Sequence, residues 1–307
     1  MRMRSILIGS VTSSQVVLEE LIAANCPPEL VFSLDEAVSS NVSGYCPIHE
    51  TAQAYGIPWK KFQKIGDSEH IKFIVDLKPD YIFVVGLSQI VGKPIIKAAK
   101  RGVVGLHPTP LPKYRGRAAM VWQMLLGLEK SAVTLFLVDE GIDSGPILGQ
   151  EPYLIGEDDY AEDMEYNCLE ALRTLLRRVI PQLIDGTVRA VPQREDEASW
   201  LLRRGPEDGR INWDRPMAEI HRLIRAVSRP YPGAFSHYDG KRLVTFWRAE
   251  MEENPGYIGF PGQIAEKNGE SFTVLCQDGL LRVTEWTCEE PISLFVGHRF
   301  REKGEVR

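Results

Sequence analysis

Basic residues are missing from the early part of this sequence. No lysine or arginine occurs between Arg4 and Lys60, although the chain of 307 residues contains 36 of them and has a net charge of −6. The same stretch carries only acidic charges, at Glu19, Glu20, Glu29, Asp35, Glu36 and Glu50. A surface built from this stretch would repel phosphate backbones, which argues against nucleic acid as a partner.

Cysteines are few, and their spacing is irregular. The five cysteines form neither a zinc-binding pattern nor a disulfide framework. Cys46 and His49 come nearest to a metal-binding pair, but no second pair completes a set of four ligands. We therefore expect free thiols and no bound metal.

Long apolar runs are also absent. No segment approaches the ~18 apolar residues of a membrane span. The apolar run near the N-terminus covers only Ile6 to Ile8 before Gly9 and Ser10 interrupt it, which does not fit a signal peptide. The expectation is a cytoplasmic protein without a membrane segment.

Phosphate-binding glycine motifs are incomplete. The segment Gly9 to Thr12 lacks the glycine spacing of a dinucleotide loop. A second candidate runs from Gly86 to Lys93, but it is one residue too long for a P-loop and is followed by Pro94. Nucleotide hydrolysis is therefore not expected.

Short apolar runs alternate with helical patterns through the first half of the chain. Strands are predicted at 5–8, 30–34, 58–62, 81–85 and 103–106, and helices at 15–24, 47–55, 68–77 and 94–101. This order predicts an α/β fold with a Rossmann-like, mostly parallel sheet. A helix at 118–126, two strands at 132–138 and 147–155, and a long helix at 159–184 follow.

The C-terminal third has the pattern of an antiparallel sheet. Asp239-Gly240, Asn268-Gly269 and Asp278-Gly279 lie between strand-like runs, and such dipeptides favour tight hairpins. We predict a small OB-like β domain here. The predicted boundaries are 1–187 for the α/β domain, 188–209 for a polar linker and 210–307 for the β domain.

Two segments are dense in chemically useful residues. His107 directly follows the strand at 103–106, where open α/β sheets bind ligands, and three prolines stiffen the chain after it. Asp143 lies in the acidic turn 139–145, which follows the strand at 132–138. A histidine satisfied by a rigid loop and a solvated acidic turn are the structural alternatives. The turn lacks the ligand number of a calcium loop.

Together these segments resemble the folate-dependent formyltransferase family. GLHPTPLPKYRGR (105–117) is similar to the family motifs Asn-x-His and SLLPxxRG, and DEGIDSGPIL (139–148) to its G-x-D-[ST]-G turn. His107 and Asp143 match the family histidine and aspartate, and their separation of 36 residues agrees. Residues 193–213 and 224–241 resemble the family's linker and C-terminal domain, so the resemblance covers nearly the whole chain.

The resemblance implies transfer of a formyl group from 10-formyltetrahydrofolate to an amine. His107 would take a proton from the attacking nitrogen or hold the oxyanion, and Asp143 would orient the imidazole. The family holds the folate ring on a loop after the fourth strand, with the acidic turn closing the pocket. The corresponding residues here are Gly86, Leu87, Ser88, Gln89, Ile90 and Ile142.

One position departs from the family pattern. The family asparagine is replaced by Gly105, and losing one oxyanion donor typically costs about 10²–10³ in rate. The Thr109 hydroxyl, a backbone N–H or a water could take its place. Alternatively, His107 alone could hold the oxyanion, or the protein could have lost catalysis and kept binding.

Members of this family differ mainly in the amine that accepts the formyl group. Methionyl-tRNA formyltransferases carry a basic loop where residues 32–59 of this chain have no basic residue. Glycinamide ribonucleotide formyltransferase lacks the C-terminal barrel, and formyltetrahydrofolate hydrolase carries an extra N-terminal domain. The resemblance is therefore best to sugar-nucleotide N-formyltransferases, such as UDP-4-amino-4-deoxy-L-arabinose formyltransferase of lipopolysaccharide biosynthesis.

A nucleotide-linked amino sugar needs cationic partners for its phosphates. The candidate substrate-binding residues are Ser10, Lys113, Arg115, Arg117, Arg203 and Arg204. A methionyl-tRNA formyltransferase, or a regulator that binds folate or sugar nucleotide without turnover, is the alternative. The family also suggests a homodimer formed through the C-terminal region.

Overall fold

A computed structural model of the chain describes residues 3–40, 42–87, 89 and 91–304. The chain divides into two compact units. Unit 1 comprises residues 1–119, 130–154 and 166–202, and unit 2 comprises 120–129, 155–165 and 203–307.

Unit 1 is built on a seven-stranded sheet. Its strands and those of a separate two-stranded pair are β1 (Ser5–Gly9), β2 (Leu30–Leu34), β3 (Trp59–Phe62), β4 (Tyr81–Val85), β5 (Gly102–His107), β6 (Arg115–Gly116), β7 (Lys130–Leu137), β8 (Ile147–Leu154) and β9 (Trp200–Leu201). The large sheet has the order β3-β2-β1-β4-β5-β7-β8, and β6 pairs with β9. The first five strands pair in parallel, whereas β7 and β8 are antiparallel.

Helices connect these strands, as the alternating sequence pattern predicts. They are α1 (Thr12–Ala23), α2 (Ile48–Ala54), α3 (Ser68–Leu77), α4 (Lys93–Ala98), α5 (Ala119–Leu125) and α6 (Ala161–Asp185). In α6 the buried positions Leu172, Leu175, Leu176 and Val179 follow a helical period, so the predicted apolar stripe packs in the core. The mostly parallel α/β fold is confirmed.

A buried ion pair joins α1 to α6. Glu20 is only 5% exposed, and its carboxylate accepts hydrogen bonds from Arg177 at 3.0 Å and from Arg173 at 3.4 Å. A buried carboxylate needs such partners because its desolvation is costly. These contacts therefore hold the middle of α6 against α1, the helix that follows β1.

The loops after β1 and β4 meet where the strand order reverses. Open α/β sheets bind ligands at such a point, outside the carboxyl ends of the strands. Ser10 Oγ donates to the Gly86 carbonyl over 2.6 Å, and Ser14 Oγ donates to the Val85 carbonyl over 2.7 Å. Because β5 lies beside β4 in parallel, its last residue, His107, is at the same edge of the sheet.

Unit 2 contains a curled antiparallel sheet, the helix α7 (Met217–Val227), most of α5 and the first turn of α6. Its strands are β10 (Ala234–Tyr238), β11 (Arg242–Glu252), β12 (Ile264–Asn268), β13 (Ser271–Leu275), β14 (Leu280–Cys288) and β15 (Phe300–Arg301), in the order β12-β13-β14-β11-β10-β15. Phe246, Phe272 and Phe300 pack in its core with ring centroids 5.1 to 6.3 Å apart.

The hairpin between β10 and β11 has the predicted dipeptide Asp239-Gly240 in its turn. Asp239 and Gly240 both have positive φ, 50° and 70°, as a type I′ turn requires. The predicted β domain is confirmed as an antiparallel sheet. Within the described part of the chain, no helix is both long enough and apolar enough to cross a membrane.

Candidate functional site

His107 is the last residue of β5 and is 5% exposed. Its Nε2 lies 2.8 Å from the carbonyl oxygen of Tyr114. Because a carbonyl oxygen can only accept, Nε2 carries a hydrogen, and in the neutral ring Nδ1 is the basic nitrogen. The Tyr114 carbonyl therefore selects the tautomer of His107.

Asp143 faces that basic nitrogen. Its Oδ2 lies 3.6 Å from Nδ1 of His107 and accepts a hydrogen bond from the Gly116 N–H over 2.8 Å. Asp143 has φ +50°, in the left-handed region where aspartate is tolerated better than most residues. Nearby, the Asp139 carboxylate accepts from the Gly141 N–H and the Ser144 hydroxyl, which closes the turn on itself.

This arrangement can accept and hold a proton. A lone pair on Nδ1 facing a carboxylate is unfavourable, whereas a proton on Nδ1 would point toward Oδ2 of Asp143. The 3.6 Å separation is too long for a direct hydrogen bond. A hydrogen placed between Nδ1 of His107 and Oδ2 of Asp143, from a bound N–H or O–H group or from a proton on Nδ1, would interact favourably with both atoms. His107 is therefore placed to act as a general base.

Gln193 holds the Asp143 turn in place, a role that the sequence did not reveal. Its Nε2 donates to the carbonyl oxygens of Asp143 and Gly145 over 2.8 and 2.7 Å. Its Oε1 accepts from Nε and Nη2 of Arg115 over 3.1 and 2.8 Å. Gln193 thus connects the turn of the acidic residue to the segment that follows His107.

Arg115 is fully engaged in this network. It is 2% exposed, and two guanidinium nitrogens also bond the Glu195 carboxylate over 2.7 and 2.9 Å. The sequence predicts Arg115 as a substrate ligand. In the structure its guanidinium instead forms an ion pair with the Glu195 carboxylate. Burial with a bidentate partner makes it a structural anchor of the site.

Residues 191–201, which we call the strap, bind both loops of the site. Val191 exchanges backbone hydrogen bonds with Ile147, just after the Asp143 turn. On the other side, Ser199 Oγ accepts from the Tyr114 N–H over 2.9 Å, and β9 pairs with β6. The strap therefore supports both the Tyr114 carbonyl and the Asp143 turn.

The space beside Gly105 is filled by an aromatic ring. Gly105 and His107 lie on the same face of β5, and Phe136 of β7 is directly opposite Gly105. A Cβ at Gly105 would lie 2.8 Å from Val138 Cγ2 and 2.9 Å from Phe136 Cζ. The glycine and the phenylalanine thus occupy together the volume that a longer side chain at 105 would need.

We predict that Gly105→Asn alone destabilises the protein by about 1–3 kcal/mol, because it overpacks this corner. Phe136→Val in the same chain should relieve the clash, so the double variant should be more stable than the sum of the single effects predicts. Thermal unfolding of the three variants measures this coupling. Strict additivity of the changes in unfolding free energy would show that Phe136 does not fill the space.

The Thr109 hydroxyl has a local partner. Thr109 is completely buried, and its Oγ1 donates to the Lys113 carbonyl over 2.9 Å. Its own carbonyl accepts from Thr134 Oγ1 over 2.6 Å. In this conformation Thr109 shapes the loop after His107, so a role as an oxyanion donor would need its hydroxyl to rotate.

The predicted folate loop is described only in part. Gly86 has φ +61° and lies against Val11, and Leu87 is half-buried. Gln89 clamps the loop, since its amide bonds the backbone of Ile65 and Gln63 over 2.9 and 2.6 Å. Ser88 and Ile90 lie outside the described residues.

The remaining predicted residues differ in placement. Ser10 is buried, and its hydroxyl donates to Gly86; Lys113, Arg117 and Ile142 are exposed in unit 1. Arg203 and Arg204 belong to unit 2. Arg204 lies over the Trp122 ring at 5.0 Å, and burial lowers its pKa.

Two family models match this chain. The model described as formyl transferase matches residues 14–180, and the model described as formyl transferase, C-terminal domain, matches residues 204–293. Together they cover both units. The predicted family resemblance is thereby confirmed.

Several solved structures have the same fold as this chain, and the proteins they describe differ. HypX from Aquifex aeolicus with tetrahydrofolic acid has a TM-score of 0.66 at 19% identity over 94% of this chain, which spans only 45% of the HypX chain. An N-formyltransferase from Helicobacter canadensis, with folinic acid and dTDP-3-aminofucose, has a TM-score of 0.61 at 19% identity over 93% of this chain and 100% of its own. Methionyl-tRNA formyltransferase from Clostridium thermocellum has a TM-score of 0.58 at 21% identity, over 90% and 100%. At these identities the likeness is one of fold.

Proposed function

The chain belongs to the formyl transferase family, and from that membership we propose that it transfers the formyl group of 10-formyltetrahydrofolate to the amino group of a nucleotide-linked amino sugar. The observation that carries the proposal is the His107–Asp143 pair, which can receive the proton that the attacking amine must lose. The formyl donor in this proposal is 10-formyltetrahydrofolate, and the amine is the nucleophile.

The reaction balances with these residues alone. The amine nitrogen attacks the formyl carbon and forms a C–N bond, which gives a tetrahedral oxyanion. Nδ1 of His107 takes the proton from that nitrogen, and the new N–H points toward the Asp143 carboxylate. The bond between the formyl carbon and N10 of the folate then breaks, and N10 receives the proton, which leaves tetrahydrofolate and a formamide.

The described residues fit a folate at the switch point of the sheet. Gly86 lets the loop after β4 approach Val11 closely, and Leu87 offers a half-buried apolar side chain beside it. Backbone groups of loop 86–91 would hold the ring. Phe136 makes the wall on the Gly105 side apolar, so a formyl oxygen there would depend on His107 or on backbone N–H groups.

Charge supports a small anionic acceptor. Residues 32–59 contain no basic residue that could contact a tRNA stem. Since Arg115 is paired with Glu195, Lys113 and Arg117 are the exposed cations that flank the site within unit 1. They are the proposed partners of the substrate phosphates, and Ser10, buried against Gly86, is a weaker candidate.

The cellular setting belongs to the same proposal. A formylated amino-sugar nucleotide would serve as a precursor of surface polysaccharide, such as lipopolysaccharide. We propose that the enzyme works in the cytoplasm as a homodimer. Light scattering of the purified protein tests the dimer directly.

A second candidate follows from Gly105. Without a side-chain amide at that position, the chain could bind folate and sugar nucleotide without transferring the formyl group. Such a regulator would bind both ligands and release no product. Binding and product formation therefore have to be measured separately.

We predict that at least one amino-sugar nucleotide is formylated and that methionyl-tRNA is not. The experiment incubates the protein with 10-formyltetrahydrofolate and a panel of 3-amino and 4-amino nucleotide sugars, plus charged methionyl-tRNA, and detects products by mass spectrometry. Formylation of methionyl-tRNA alone would overturn the acceptor proposal. Tight folate binding without any product would favour the regulator.

A further inference from the structure

A second cavity lies within unit 2. It has a volume of about 420 Å³ and is formed by the end of α5, residues 155–157 and the exposed side of α7. This size is typical of small-molecule sites, which occupy roughly 300–1,000 Å³. None of its lining residues belongs to the His107–Asp143 site.

Two arginines line one side of this cavity. Arg222 and Arg225 are three residues apart on α7, so their side chains share a face of the helix. Nη1 of Arg225 donates to the Asp159 carbonyl over 2.6 Å, but its Nε is buried and has no hydrogen-bond partner among the described residues. Within that same part of the chain, the Arg222 guanidinium has no hydrogen bond or ion pair.

This arrangement is unfavourable without a ligand. A buried donor left without a partner costs about 1–3 kcal/mol. Burial lowers the pKa of Arg225, and the charge of Arg222 lowers it further. An anion between the two guanidinium groups would accept hydrogen bonds from Arg222 and relieve the repulsion between the two charges.

The lining of the cavity also carries hydrogen-bond acceptors. Glu129 and Glu157 line it with exposed carboxylates, and Met124 and Leu128 add an apolar wall. Two carboxylates would repel a bare anion but would accept hydrogen bonds from hydroxyl or amino groups. The lining thus favours a ligand that carries both an anionic group and hydrogen-bond donors.

We propose that this cavity binds a phosphorylated small molecule with free hydroxyl or amino groups, of the sugar phosphate class. Arg222 and Arg225 bind the phosphate, and Glu129 and Glu157 accept hydrogen bonds from the sugar. Arginine suits this role because its planar fork matches phosphate oxygens. The proposal does not depend on the formyl-transfer reaction.

Calorimetric titration of the full chain with glucose 6-phosphate tests the site. Glucose and inorganic phosphate serve as separate probes of the two ends. We expect glucose 6-phosphate to bind more tightly than either, and Arg222→Gln to weaken it about tenfold through the loss of a charged hydrogen bond. Glu129→Gln combined with Glu157→Gln should weaken the binding of glucose 6-phosphate but tighten that of inorganic phosphate, because two repelling charges are removed.

Arg222→Gln is the decisive variant because, among the described residues, the Arg222 guanidinium makes no hydrogen bond or ion pair, so the fold should not depend on its charge. Arg215→Gln is the matched control, since Arg215 is exposed and its ion-pair partner among the described residues is Glu219 at 3.9 Å. Equal affinity in wild type and Arg222→Gln would overturn the proposal. So would a wild-type protein that binds glucose as tightly as glucose 6-phosphate, or that binds no probe at about 10 mM.

Discussion

Replacing His107 with alanine should lower kcat for formyl transfer by about 10²–10⁴, the usual contribution of a positioned general base. The structure gives the reason: Nε2 is fixed by the Tyr114 carbonyl, so Nδ1 is the one ring nitrogen that can take the proton of the amine. Folate binding should change little, because the predicted folate loop lies on β4. Initial rates and a separate folate titration distinguish the two effects.

A matched control exists in the other unit. His298 Nδ1 lies 2.7 Å from Asp239 Oδ2, a shorter contact than the 3.6 Å between His107 and Asp143. His298 stacks on Tyr238 beside the β10–β11 hairpin, so His298→Ala should leave kcat within about twofold. Equal losses in the two variants, or an unaffected His107→Ala, would remove His107 from the mechanism.

The second large effect is expected from Gln193→Glu, which changes one atom type and keeps the shape. The new carboxylate still accepts from Arg115 but can no longer donate to the carbonyls of Asp143 and Gly145. The turn should shift away from His107, and a displacement of about 1 Å can cost 10²-fold in rate. We expect kcat to fall by about that factor, and a separate folate titration shows how far the displaced turn also affects folate binding.

Nuclear magnetic resonance gives a readout of this shift that needs no substrate. The ¹⁵N resonances of the His107 ring should move in Gln193→Glu, because the carboxylate that faces Nδ1 moves. Arg194→Ala is the control, since within the described part of the chain Arg194 forms ion pairs with its sequence neighbours Asp196 and Glu197. An unchanged ring signal together with unchanged kcat would show that Gln193 does not position the turn.

The elements with a clear period were predictable from sequence. Buried strands such as β4 and the long helix α6 carry patterns that depend only on local residues. The short pair β6 and β9 has two residues in each strand, too few to show any alternation. Their pairing depends on contacts across more than 80 residues of chain, as between Arg115 and Trp200.

The proximity of His107 and Asp143 was predictable from sequence, whereas the residues that support them were not. Motif spacing points to His107 and Asp143, but β7 runs antiparallel to β5, so the two residues are brought together by the turn and not by neighbouring parallel ends. Gln193 is separated by 50 residues from Asp143 and lies in a polar segment without motif character. The role of Phe136 was likewise not predictable from sequence, because it depends on the pairing that places Phe136 opposite Gly105.

The strap has a consequence for recombination between family members. Gln193 and Ser199 lie after α6, where a sequence-based boundary would divide the chain, yet they bind the loops that carry Tyr114 and Asp143. A chimera that exchanges C-terminal domains before residue 191 would therefore replace the residues that support the candidate site around His107 and Asp143. A junction placed after Leu202 would keep Gln193 and Ser199 in the same parent sequence as Tyr114 and Asp143.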